Sequence, residues 1–373
     1  MSDDAVNGAV QYDVPQRRLA LAGVALSRRL ENGQGVWRLE APRLRGEEPL
    51  VVEQLGGPVT PPREVSSVLP AFLRGSEVAR VDSAPPAKTP EPADSIERLR
   101  AMLERQYAQI LLHDPGVRLD LDPEDVHRLR VAVRRARAVL RAARPLLDAE
   151  WSEPLRAELK WLGGSLGRRR DLDVLVAHLE REIERLEQPE REAAAALVES
   201  LEQERATAQA VALDALRSQR YYRLLDALEA AARGPRVRRG DVSLRKLAKR
   251  EYRRLSRIAE GLGPESSDDE LHRARIAGKR ARYTAELAEV EVGKPAQRFI
   301  ERTKELQDVL GVHQDAIVAE ARLRGLLAES PGSGAAFAAG RLVERERERR
   351  RAARAGLPKA WRKLDRAAST AFG

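Results

Sequence analysis

The chain has 373 residues, 42% of them hydrophobic and 34% charged, with a formal net charge of +9. That length and composition allow more than one packed domain and a strongly charged surface. The absence of cysteine excludes disulfide scaffolds, thiolate metal sites and cysteine nucleophiles.

Charge is distributed unevenly. Residues 1–90 hold 11 Lys/Arg and 11 Asp/Glu, so the whole +9 lies in the remainder, 56 against 47. A basic region attached to a neutral one points to a polyanionic partner. No stretch approaches the ~20 apolar residues of a membrane span, and the opening MSDDAVNGAV lacks the basic and apolar regions of a signal peptide. The expected location is the cytoplasm, and no membrane partner is expected.

Residues 1–81 are rich in Gly, Val and Pro, and runs such as Val36-Trp37-Arg38-Leu39-Glu40 alternate as strands do. Residues 82–93, DSAPPAKTPEPA, read as a Pro-rich linker. From Asp94 to Gly373 the composition of Ala, Leu, Arg and Glu predicts helix almost throughout. Asp94 with Glu97 fits a capping box, and Asp122-Pro123 places a cap before a first-turn proline. Breaks are expected near Pro145, Pro189, Gly234-Pro235, Gly263-Pro264, Pro331 and Pro358.

This helical part contains a duplication. His127-Arg-Leu-Arg130 recurs 145 positions on as His272-Arg-Ala-Arg275. Lys160, Leu166-Gly167 and Asp171 recur 144 positions on as Lys304, Leu310-Gly311 and Asp315. The predicted fold is mainly all-α: two pseudo-symmetric four-helix bundles, about 94–234 and 241–373, behind a small β-rich region.

Each half carries a basic stripe. At about 100° per residue, His127, Arg130, Arg134, Arg137 and Arg141 share one helix face, opposite Leu129, Val133, Ala136 and Leu140. Arg128 and Arg135 lie on the flank. In the second half His272, Arg275, Lys279 and Arg282 form the stripe, with Arg273 and Arg280 on its flank. Glu286 stands where the first stripe has Arg141. Most charge runs are solvated faces of alternating sign, as in RLVERERERRR at 341–351. The stripes differ, because cations repeat there without local anions and repel one another unless carboxylates elsewhere in the fold or a bound anion compensate. Lys160, Arg168 and Lys304 are added as candidate ligands. Asp171, Asp173, Asp308 and Asp315 are expected to orient stripe arginines. Crowding by cations should keep the free imidazoles neutral. No metal ligand set or cofactor motif is evident.

These segments resemble the CHAD family, the conserved-histidine α-helical domain. The match runs through His127–Arg137, Leu166–Val174, His272–Tyr283 and Leu306–Gly311, and covers about residues 94–373. The resemblance implies paired four-helix bundles whose basic surface binds inorganic polyphosphate, with some members associated with polyphosphate granules. Tyr12-Asp13-Val14-Pro15, Arg17 with Arg18 and Leu19, Gly23, Leu26-Ser-Arg28-Arg29 and Trp37-Arg38-Leu39 more weakly resemble the later part of a CYTH, or triphosphate tunnel, domain. That family's catalysis implies a strand with Glu-x-Glu-x-Lys, which does not precede Tyr12. Glu344, Glu346 and Glu348 fall in a helical stretch, where i and i+2 diverge. The expectation is a remnant of that domain and a non-enzymatic polyphosphate binder whose two stripes line one groove. Nucleic-acid backbone binding is the alternative, as is a triphosphatase or polyphosphate hydrolase should a longer reading frame supply the strand. The stripes hold no Asn or Gln for base edges and little but Tyr283 for stacking.

Overall fold

The computed structural model describes residues 8–43, 48–82, 92, 94–238, 242–263, 265–328 and 332–373. Most of the predicted linker, together with Pro264 and Pro331, therefore lies outside the described residues.

The N-terminal region forms an antiparallel sheet of β1 (Val10–Asp13), β2 (Ala25–Glu31), β3 (Gln34–Ala41), β4 (Leu50–Leu55) and β5 (Ala79–Arg80), ordered β4-β3-β2-β1-β5. Three short helices, α1 (Arg18–Ala22), α2 (Arg63–Ser66) and α3 (Pro70–Leu73), accompany it. The expected alternation holds in β3, which buries Trp37 and Leu39. Five strands arranged in this way are consistent with the CYTH-like reading.

The helical region comprises α4 (Ser95–Leu119), α5 (Pro123–Ala142), α6 (Ala149–Ser165), α7 (Gly167–Ile183), α8 (Gln188–Arg217), α9 (Gln219–Arg233), α10 (Leu244–Ala259), α11 (Asp268–Val292), α12 (Lys294–Ala328) and α13 (Ser333–Phe372). Helix starts at 123, 149 and 188 recur at 268, 294 and 333, each 145 residues on. Thus α5 matches α11, the pair α6–α7 matches α12, and α8–α9 matches α13. Each half has four helical stretches; the first half interrupts two of them, at Leu166 and at Ser218.

The caps follow the chemistry expected of them. The Asp94 carboxylate accepts from the Ile96 and Glu97 amides, and the Asp122 carboxylate from Glu124 ahead of α5. A reciprocal capping box, unrecognised in the sequence, starts α11: Ser267 and Glu270 exchange bonds there. The expected break at Pro358 does not occur, and α13 runs through it. Leu357 and Ala360 on either side are buried, and this packing offsets the lost backbone bond.

One apolar core runs from the sheet through both halves, joining Trp37 and Phe72 to Leu103, Leu129, Leu271 and Phe299. A second cluster joins the far ends of α7, α8, α12 and α13 through Leu179, Leu201, Leu323 and Leu342. The N-terminal region is not a loose appendage. Arg18 and Arg74 both reach the buried Glu229 on α9, Arg74 also pairs with Asp226, and Tyr107 bonds Glu229 at 3.2 Å.

Candidate functional site

The core faces of α5 and α11 dictate where their basic faces go. Leu129, Val133, Ala136 and Leu140 are buried, as are Ala274, Ala277 and Ala281 on α11. The two helices pack on each other, and both stripes emerge on one side. There, α5, α6, α10 and α11 enclose a groove of about 910 Å3.

Eleven Arg and Lys side chains line this groove against two carboxylates, Glu153 and Glu251. Arg134, Arg137 and Arg141 come from the first stripe, and His272, Arg275 and Lys279 from the second. The flanking Arg280 and the expected Lys160 also reach it. Among the described residues, none of Arg134, Arg137, Arg141, Arg275, Lys279 and Arg280 forms an ion pair, whereas the carboxylates there engage Arg144, Arg156 and Arg254.

The electrostatics follow from that imbalance. Burial pushes the Lys279 ammonium down to about 7, reinforced by Arg275 and Arg282 on its own helix and by Arg134 and Arg130 on α5. Burial also lowers Arg137, Arg141 and Arg275, with neighbouring arginines adding to the effect. His127 is depressed to about 4, first by burial and then by Arg170, so its imidazole is neutral, as expected from its cationic surroundings. Desolvation raises the Asp315 carboxyl above its ordinary value, against the lowering influence of Arg275, Arg349, His178 and Lys279.

Other expected ligands are placed elsewhere. His127 is half-buried beside α7 and does not line the groove, while the exposed His272 Nδ1 donates to Gln314 Oε1 at 3.0 Å. Arg130 donates to the Gly163 carbonyl at 2.9 Å and to the exposed Asp171 carboxylate at 3.4 Å. Arg135 and Arg282 share Glu286, at 3.0 and 3.5 Å, so one carboxylate offsets part of their charge, and neither lines the groove. Arg168 is likewise taken by Glu204. Lys304 and Asp308 are exposed on α12 away from the groove. Asp173 is buried against Arg169 and Arg205, neither of which belongs to a stripe, so it does not orient one. Conversely, Arg156, Arg250 and Arg254 line the groove without having been singled out. Their signal was Arg-x3-Lys at 156–160 on α6 and Arg-x3-Arg at 250–254 on α10, each a one-turn pair of cations.

Among the described residues no helix is long and apolar enough to cross a membrane. The Glu344–Glu348 stretch lies in α13, with Glu344 paired to Arg347 and Arg351 and Glu346 to Arg349 and His178.

A model of the CHAD domain matches residues 101–324. The uncharacterized proteins MT2285 and Rv2226 of two Mycobacterium tuberculosis strains are each 32% identical over 310 residues, covering 79% of this chain. The chain spans 58% of the length of those curated relatives. Among solved structures, PptA from Streptomyces chartreusis matches at TM-score 0.60 and 26% identity, covering 72% of this chain and 99% of its own. The CHAD domain from the plant Ricinus communis matches at TM-score 0.56 and 26% identity, covering 73% and 97%. With its duplicated helical halves and paired His-Arg helices, the chain belongs to the CHAD-domain family.

Proposed function

We propose that this protein binds inorganic polyphosphate, without cleaving it, in the groove between α5, α6, α10 and α11. The observation that carries the reading is the eleven-to-two excess of cations over carboxylates, with five stripe cations and the flanking Arg280 lacking an ion-pair partner among the described residues. Such an array is self-repulsive when empty and is relieved by a linear polyanion. Each guanidinium can make charge-assisted bonds to phosphate oxygens, modest singly and cumulative along a flexible chain. Tyr283, the one aromatic on the groove wall, is 4% exposed and stacked beneath Arg282, so it offers no platform for a base.

Titration with polyphosphate, in competition with single-stranded and duplex nucleic acid at matched salt, tests the reading. Polyphosphate is expected to displace either nucleic acid at equal phosphate concentration. Tighter binding of nucleic acid would reverse the assignment. Release of orthophosphate above a protein-free control, with magnesium or manganese present, would show the protein to be a hydrolase.

A further inference from the structure

The duplication provides an internal comparison that singles out a second cavity. In the first half, the end of α4 closes the bundle. Gly116 brings α4 so near α5 that an added Cβ would stand 1.9 Å from Asp125 Oδ2. Val117 is fully buried and its carbonyl accepts from Gln209 Nε2 at 3.0 Å, while Arg118 donates to the Leu216 carbonyl at 2.8 Å. Leu129 of α5 is fully buried in the same core as Val117.

Among the described residues, the second half has no such plug. Its first helix, α10, has 16 residues where α4 has 25. The residue 145 on from Leu129 is Ala274, and those 145 on from Gln209 and Leu216 are Arg354 and Trp361. These three line a cavity of about 570 Å3 with Leu306 and Leu310 of α12, the latter being counterparts of Leu162 and Leu166. Its volume falls in the range of small-ligand sites, roughly 300–1,000 Å3.

The walls and the mouth differ chemically. Leucine, alanine and the partly buried Trp361 supply apolar surface, while Arg351 and Arg362 stand at the lining with one carboxylate, Glu260. Arg351 is paired with Glu344, but Arg362 is exposed and forms no ion pair among the described residues. We infer that the second half holds a site for a single-chain amphiphile with an anionic head group, its tail between α10 and α13 and its head at Arg362. Burial of the tail supplies the affinity, and the uncompensated guanidinium selects the head. The site is separate from the polyanion groove: the two share no lining residue.

Trp361 makes the site observable. Dodecanoate, kept below its micelle concentration, is expected to change tryptophan fluorescence saturably in the full chain, and the change is expected to vanish in Trp361→Phe. Ala274→Leu restores the first half's residue and should weaken dodecanoate by about tenfold or more while leaving the fold intact. Arg362→Gln should weaken dodecanoate roughly two- to fivefold and leave neutral dodecyl maltoside unaffected. Equal binding by Ala274→Leu, provided its circular dichroism matches wild type, would overturn the site. So would a response that survives in Trp361→Phe. Equal affinity for the neutral detergent would overturn the anionic head group. Polyphosphate titration of the same variants reads the groove separately, so failure of one site is distinguishable from failure of the other.

Discussion

Replacing Lys279 with Met should make the protein more stable and a poorer polyanion binder, two effects of opposite sign from one charge. Lys279 is half-buried with Arg130, Arg134, Arg275 and Arg282 around it, and its ammonium is lowered from 10.5 to about 7. That lowering sets a ceiling of about 5 kcal/mol on the penalty for the charged form. The groove is open to water and salt, so about 1–2 kcal/mol is the expected gain on removing the charge. The pH dependence fixes the sign. Between about pH 7 and 10.5 the unfolded chain holds a proton on this lysine that the folded chain has lost, so wild-type stability rises with pH there. The advantage of Lys279→Met should therefore be full below about pH 7 and fade towards pH 10.5. Thermal denaturation of both proteins at pH 6, 8 and 10 in low salt measures it. A destabilised variant at pH 6, or a difference that does not change with pH, would refute the reasoning.

Binding should show the complementary trend. A bound polyanion stabilises the protonated amine, so polyphosphate affinity should fall as pH rises above about 7, and Lys279→Arg should flatten that fall when followed by calorimetry. Arg135→Ala and Arg282→Ala should each change affinity by less than about threefold, because both arginines already serve Glu286. Arg74→Ala should destabilise the protein by about 1–3 kcal/mol in thermal or denaturant unfolding, since the buried Glu229 loses one charged partner but keeps Arg18 and Arg233, yet leave groove affinity unchanged. Removing residues 1–93 should act the same way, on stability and not on the groove, because Leu99, Leu103 and Tyr107 lose their cover.

The duplicated helices were legible because their signal is local. Cap residues, a 3.6-residue period and two His-x-x-Arg segments need no tertiary information, and the matched helix starts bear out the 145-residue repeat. The shared groove follows from the same duplication, since two equivalent helices related by pseudo-symmetry turn their basic faces to a common space, and residues of both stripes line it. Ion-pair partners were not readable. Glu286 was recognised as a weak point in the second stripe, but that it reaches across to Arg135, 151 residues away, depends on how the helices cross. Asp173 was misassigned for the same reason: helix position placed it near the stripes, whereas its carboxylate turns to Arg169 and Arg205. Arg250 and Arg254 carry little signal because α10 sets cations on several faces around Glu251, and only the assembled groove shows which of them face a common space.

The most direct test of the shared groove is the double variant Arg134→Ala/Arg275→Ala, which removes one unpaired cation from each stripe. Its affinity for polyphosphate of defined lengths should be measured beside wild type across a salt series. Wild-type affinity should climb with chain length until both stripes are spanned and then flatten. The variant is expected to bind at least about tenfold more weakly, with a shallower salt dependence, since two phosphate contacts are gone. A variant that binds long chains like wild type, with the same salt dependence, would contradict binding in this groove.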